Sequence, residues 1–162
     1  MDKQALVAQL VAKLRDALQV AERARDDAAE EAREGATPAE KRDDARVAIE
    51  QSGIARGQAR RAVQIQAELK ALESFDPQPL PRGAPVSVGA LVEVEQEDGG
   101  VTVFLAPAGA GKELTGPGGD GFFTVVTPSS PLGRAILGHR AGDTVEARIA
   151  TALHEWTITW VG

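Results

Sequence analysis

In the N-terminal half, apolar side chains return at alternating steps of three and four: Val7, Leu10, Leu14, Ala17, Ala21, Ala24 and Ala28. That spacing keeps side chains along one seam and predicts a long amphipathic helix. A weaker series, Val47, Ile54, Ala62, Ile65, Leu69 and Leu72, predicts a second. Between them Gly35 suits a helix end, because glycine takes positive φ without steric cost. Thr37-Pro38-Ala39-Glu40 then has the form of a capping box, with threonine as N-cap, proline at N1 and glutamate at N3. A connection this short turns the second helix back along the first. Helices of some 32 to 36 residues, at about 1.5 Å per residue, make an arm roughly 50 Å long. The seam thins to alanine towards the tip, so the distal end is narrow and weakly held.

Past residue 90 the period changes from helical to two. Leu91–Gln96 and Val101–Pro107, joined by the turn Glu97-Asp98-Gly99-Gly100, predict an antiparallel hairpin. Gly121–Thr127 predicts a third strand. Ser130–Gly138 has a serine cap, proline at N1 and a terminal glycine, the marks of a short helix. Asp143–Ala150 and Glu155–Gly162 predict two more strands. The expected class is α+β: an antiparallel helical hairpin, then a small bent antiparallel sheet with one short helix. Between the halves, DPQPLPRGAP at 76–85 reads as a linker, since proline ends helices and extends the residue before it. The expected bounds are therefore 1–75 for the hairpin, with its tip near 34–44, and 86–162 for the sheet domain.

Composition narrows the function. A net charge of −6 argues against a general nucleic-acid or membrane binder. With no cysteine, disulfides and thiolate metal sites are excluded, which favours a reducing, cytoplasmic compartment. Asp2, Lys3, Lys13, Arg15 and Asp16 interrupt the first apolar stretch, so it is neither a signal peptide nor a membrane span. Charge is also polarised along the arm. Glu22 to Asp44 holds nine acids and five bases, a balance of −4, whereas Arg46 to Lys70 holds five bases and two acids, a balance of +3. A hairpin packed on a partner subunit as an ordinary coiled coil does not require that polarity.

The run Val125–Val161 resembles the C-terminal domain of the bacterial Gre-type transcript cleavage factors. Its most specific part is Ser130-Pro131-Leu132-Gly133-Arg134-Ala135, then Gly138, then Ala141-Gly142-Asp143-Thr144-Val145-Glu146. Upstream, Glu50–Ala62 is similar to the second arm of the family's coiled coil, and Glu31–Ala36 to its approach to the tip. The resemblance implies a C-terminal domain of the FK506-binding-protein (FKBP-like) type. That domain would dock on RNA polymerase, through Ser129, Ser130, Pro131, Leu132, Gly133 and Arg134, while the coiled coil enters the secondary channel. It further implies no catalytic residues and no bound cofactor of the chain's own. Tip acids, here Glu34, Glu40, Asp43 and Asp44, would help hold a magnesium ion shared with the polymerase, with at most indirect contact to nascent RNA. A second cation activates water and offsets charge in phosphoryl displacement, and magnesium accepts one or two carboxylates while keeping several waters.

The tip departs from the family pattern. Cleaving members carry an aspartate just after the turn glycine and a glutamate-asparagine pair further on. Here Ala36, Thr37 and Pro38 follow Gly35, and Lys41 follows Glu40. Ser129 likewise stands where an aspartate is common. Two readings follow: a factor that stimulates cleavage of backtracked RNA, and a non-cleaving regulator that fills the channel. A peptide-binding or prolyl-isomerase module, suggested by fold type alone, lacks an aromatic-lined pocket, since the chain has no tyrosine.

Other motifs carry less. Residues 106–116 have the outline of a phosphate-binding loop, but alanine opens the run and Glu113 follows Gly-Lys. His139 and His154 lack ligand spacing and are expected at ordinary surface positions. Trp156 and Trp160, four apart in a strand, are expected on one side, in the core. Gly53 and Gly57 suggest a close helix approach or a bend.

The capping box is directly testable. Thr37→Ala should lower the hairpin's stability by about 1 kcal/mol in denaturant unfolding. Thr37→Asp should be nearly neutral, because aspartate caps comparably and favours the positive helix end. Equal losses for both would place the turn elsewhere.

Overall fold

The computed structural model describes residues 2–34, 43–116, 118–119 and 121–162, and of residues 43 and 44 the backbone alone. The capping box at residues 37–40 therefore lies outside the described residues. Two helices, α1 (Lys3–Glu34) and α2 (Asp43–Glu73), pack as a hairpin. There follow β1 (Leu91–Gln96), β2 (Gly99–Leu105), β3 (Glu113–Thr115), β4 (Phe122–Val126), α3 (Pro131–Ile136), β5 (Thr144–Ile149) and β6 (Ala152–Val161). By compactness the chain divides into two units, Met1–Ala12 with Ala71–Gly162, and Lys13–Lys70. The first turns of α1 thus belong with the sheet.

In the Lys13–Lys70 unit, α1 follows the expected seam, with Leu14, Ala21 and Ala28 buried and Ala17 and Ala24 half-buried. The returning helix follows its expected series only from Ala62 on, where Ala62, Ile65 and Leu72 are buried and Leu69 is half-buried. Val47 and Ile54 are 50% and 45% exposed, whereas Ala48, Ser52, Ala55 and Ala59 are half-buried and lead to buried Ala62 and Ile65. Before Ala62 the seam sits one residue further on than the bulkier side chains suggest. Small side chains let two helix backbones approach, and β-branched ones would hold them apart. Gly53 and Gly57 play no part in that approach, because a Cβ on either would meet nothing within 4 Å. The structure gives no packing reason for these two glycines.

In the other unit, the six strands run in the order β3-β4-β2-β1-β6-β5. The sheet is mixed rather than wholly antiparallel, since β4 lies parallel to β2 while β3 pairs antiparallel with β4. β3 was not foreseen, because three residues are too few to show alternation. One face carries Val92, Val94, Val103, Leu105, Trp156 and Ile158, and packs on Leu132 and Ile136 of α3. Alternation puts Leu91 and Phe104 on the other face, both fully buried together with Leu6 and Leu10 of α1. The Phe75 and Phe104 rings sit 6.3 Å apart at 43°. Gly109, at φ +84°, passes so close to α1 that an added Cβ would lie 2.6 Å from a Leu10 methyl. The edge strand β3 is also tied to α1. The Gln9 amide donates to the Thr115 carbonyl (3.1 Å) and accepts from the Thr115 N–H (2.7 Å), filling the groups a neighbouring strand would take.

A β-bulge overturns one expectation. The β1–β6 register shifts between Glu93, opposite Trp160, and Val94, opposite Ile158, so Thr159 is the extra residue. Trp156 points into the core, but the slip moves Trp160 to the other face, where it is 44% exposed. Strand period alone misses this, because one inserted residue reverses every side chain beyond it.

The entrance to α3 is fixed by a backbone contact that admits no side chain at Gly133. A Cβ there would collide with the Thr127 carbonyl oxygen, which cannot move without breaking the loop. Gly133→Ala should therefore destabilise the chain by roughly 2 kcal/mol or more, read as a lower denaturation midpoint. A loss within a few tenths of that of Gly53→Ala would show that the loop yields freely.

Candidate functional site

The loop from Thr127 into α3 is a closed hydrogen-bond unit. Ser130 is the N-cap: its Oγ accepts from the Gly133 N–H (3.2 Å) and the Thr127 N–H (3.2 Å), and donates to the Thr127 carbonyl (2.8 Å). The Thr127 and Ser129 hydroxyls share a bond at 3.1 Å. Pro131 at N1 needs no N–H there. Leu132 and Ile136 anchor the helix in the core, and at its far end the Gly138 N–H returns to the Val86 carbonyl at 2.8 Å. The serine cap and the proline start stand as the sequence indicates.

This arrangement separates the six candidate docking residues by role. Ser129, Pro131 and Arg134 are exposed, Ser130 is half-buried, and Leu132 and Gly133 are buried. The first three form the outward face, while the others hold it in shape. Beside them opens a cleft of about 510 Å³ between α3 and β5, lined by Pro131, Arg134 and Ala135 on one side and Glu146, Ala147 and Arg148 on the other. Sequence reading missed the β5 contribution. The signal was present in TVEARI, where Val145 and Ala147 turn inward and Glu146 and Arg148 outward. What the sequence did not show was that α3 packs beside this strand.

The tip acids are separated in what can be described. Glu34 ends α1 and is exposed, and Asp43 is the first residue of α2. Glu40 and the side chains of Asp43 and Asp44 lie outside the described residues. Glu34 at the end of α1 opposes the helix dipole, and the neighbouring Arg33 compensates. Among the described residues no group of three His, Asp or Glu could hold a metal ion, and no helix is long and apolar enough to cross a membrane.

The remaining motifs resolve into structure. Residues 106–112 form a turn leading into β3, with Ala106 and Ala108 buried and Ala110 and Gly111 exposed, and offer no helix start for a phosphate. His139 is exposed, 3.3 Å from Asp143, which also accepts from the Arg140 N–H at 2.8 Å. That backbone bond, with His139 and Arg140 nearby, holds the Asp143 carboxyl below its usual range. His154 is half-buried against Gln96 at 3.2 Å.

No family model matches the chain. It is 29% identical over 101 residues to the transcription elongation factor GreA of Verminephrobacter eiseniae (strain EF01-2). The match takes in 62% of this chain and 60% of that protein, so the chain spans under two thirds of its relative's length. Among solved structures, GreA factor homolog 1 (Gfh1) of Thermus thermophilus aligns over 94% of each chain at 18% identity, with a TM-score of 0.40. A GreA/GreB factor from Nitrosomonas europaea aligns over 59% of this chain and 74% of its own, at 23% identity and a TM-score of 0.35. Over those 101 residues the chain is similar in sequence to a transcription elongation factor of the Gre type.

Proposed function

We propose that this chain binds RNA polymerase through the exposed face formed by Ser129, Pro131 and Arg134, and acts at the polymerase active centre through its helical hairpin without chemistry of its own. The observation that carries the reading is the rigid α3 entrance inside the stretch that resembles the Gre docking domain. Ser130 and Gly133 leave that loop one conformation, so little ordering entropy opposes association. Arg134 offers a planar fork suited to a partner carboxylate. The place of action would be cytoplasmic.

Of the two modes, the residues favour the regulator that fills the channel without stimulating cleavage. Ala36, Thr37 and Pro38 occupy the place of the family's first acid, and Lys41 follows Glu40. A lysine beside the one matching acid weakens its hold on a cation, and the capping box that the sequence indicates would commit Glu40 to backbone N–H groups instead. Glu34, Asp43 and Asp44 remain as the acids a cleaving mode would have to use.

Two experiments test these claims. Arg134→Glu should weaken polymerase affinity by at least about tenfold, or about 1.4 kcal/mol, with helix content unchanged. Undiminished binding by the folded variant would contradict the docking face; Ser130 is a poorer choice because it holds the loop together. In a stalled, backtracked elongation complex, the unaltered chain should add no transcript cleavage while slowing nucleotide addition. Stimulated cleavage that collapses when Asp43 and Asp44 become asparagine, and partly returns at raised magnesium, would establish the metal-recruiting mode instead.

A further inference from the structure

A second cleft, of about 510 Å³, lies in the sheet-bearing unit, where the start of α1 meets residues 76–80 and the end of β6. It contains an unusual cation. Lys3 is only 9% exposed, and its ammonium makes one hydrogen bond, to the Gln78 carbonyl at 3.1 Å. Among the described residues no carboxylate lies within ion-pair distance of it, although Asp2 and Asp76 line the same cleft. Burial holds the Lys3 pKa below the ordinary lysine value. An ammonium has three donors, and the Gln78 carbonyl takes one of them.

The acids are held in place but not used up. Asp2 takes the Ala5 N–H on one oxygen (3.2 Å), capping α1. Asp76 receives the Gln4 amide on one oxygen and the Gln78 amide on the other, the latter at 2.6 Å. Each carboxylate oxygen keeps a further lone pair. The remaining wall is apolar: Leu80, Leu91 and the half-exposed Trp160, whose ring is so close to Gly162 that a side chain there would collide with it. Positive and negative groups that line one cleft without pairing leave room for a ligand bearing both signs.

We propose that this cleft binds a small zwitterion with an apolar body, of the free α-amino acid class, its carboxylate on Lys3, its ammonium on Asp2 and Asp76, and its side chain against Trp160. The ligand would complete the two donors that Lys3 leaves open. It would also cross-link the first turn of α1 to the 76–80 segment. A purely anionic ligand would face two carboxylates, and a purely cationic one the Lys3 ammonium, so each fits worse. The proposal is independent of polymerase binding.

The probes are L-phenylalanine, its amide, which lacks the carboxylate, and 3-phenylpropionate, which lacks the amine. Calorimetric titration of the full chain should show phenylalanine binding at least about tenfold tighter than either. The indole N–H resonance of Trp160 should shift while that of Trp156, in the core, stays. Lys3→Met should erase the preference for phenylalanine over its amide. Equal affinity for the three probes, no binding of phenylalanine, or a Trp160 signal unmoved at saturation would each overturn the proposal, and the wild-type titrations stand even if the variant fails to fold.

Discussion

The β-sheet of this chain has two apolar faces, and covering both is the constraint on which the rest depends. A sheet with one solvated face could have ended its core at α3. Here Leu91 and Phe104 point away from α3 and are fully buried, which requires a second layer. Leu6 and Leu10 of α1, with Phe75 after α2, supply it. Gly109 is what that layer requires of the sheet side, since any side chain there would meet Leu10. The same packing brings Gln9 to the β3 edge and sets Lys3 and Asp2 beside residues 76–80. The start of the hairpin is therefore as much a part of the sheet's core as α3 is.

On the α3 side, a core and the proposed docking face share six residues. Leu132 and Ile136 fill the space over the sheet, and Gly133 admits the Thr127 carbonyl that closes the loop. These inward demands fix where Ser129, Pro131 and Arg134 emerge. A short helix has little stability of its own, so its outward face is only as ordered as its anchors and cap. If this face docks as proposed, substitutions at the buried and at the exposed members would act through different routes, one through the fold and the other through the contact.

Much of this was legible in the sequence, and the misses have definable causes. The α1 seam, the serine cap of α3, the β1–β2 pair and the closing strands all follow from periodicity and turn chemistry. The resemblance over Val125–Val161 pointed to Gre-type factors, which no period could give. Only the first part of the α2 seam was misplaced, because hydrophobicity favours Val47 and Ile54, while a close helix pair is decided by size and selects Ala48 and Ala55. Trp160 was misplaced because a one-residue bulge leaves no mark in composition. The parallel β2–β4 pair was missed because strand order is a property of long-range contacts. At the candidate site, the placing of Glu146 and Arg148 beside α3 was hidden for the same reason, and the cleft around Lys3 joins residues more than 150 positions apart. The tip was read from sequence alone.

The alanine seam links these observations to what the hairpin is suited for. Large seam residues would bury more area and hold the helices more firmly, at about 25 cal/mol per Å², but would widen the pair. Ala17, Ala21, Ala24 and Ala28 on α1, facing an equally small series on α2, forgo that area. A helix pair under no constraint of girth would gain stability from leucine at these positions, as Leu10 and Leu14 do nearer the base. The substitution of small for large residues is confined to the stretch that approaches the turn, where it costs burial and leaves slenderness as its physical consequence. Slenderness matters only to an element that must enter something narrow. The seam therefore favours the reading in which the hairpin acts inside a channel over one in which it packs along a partner as an ordinary coiled coil, and this argument holds whichever acids the tip presents.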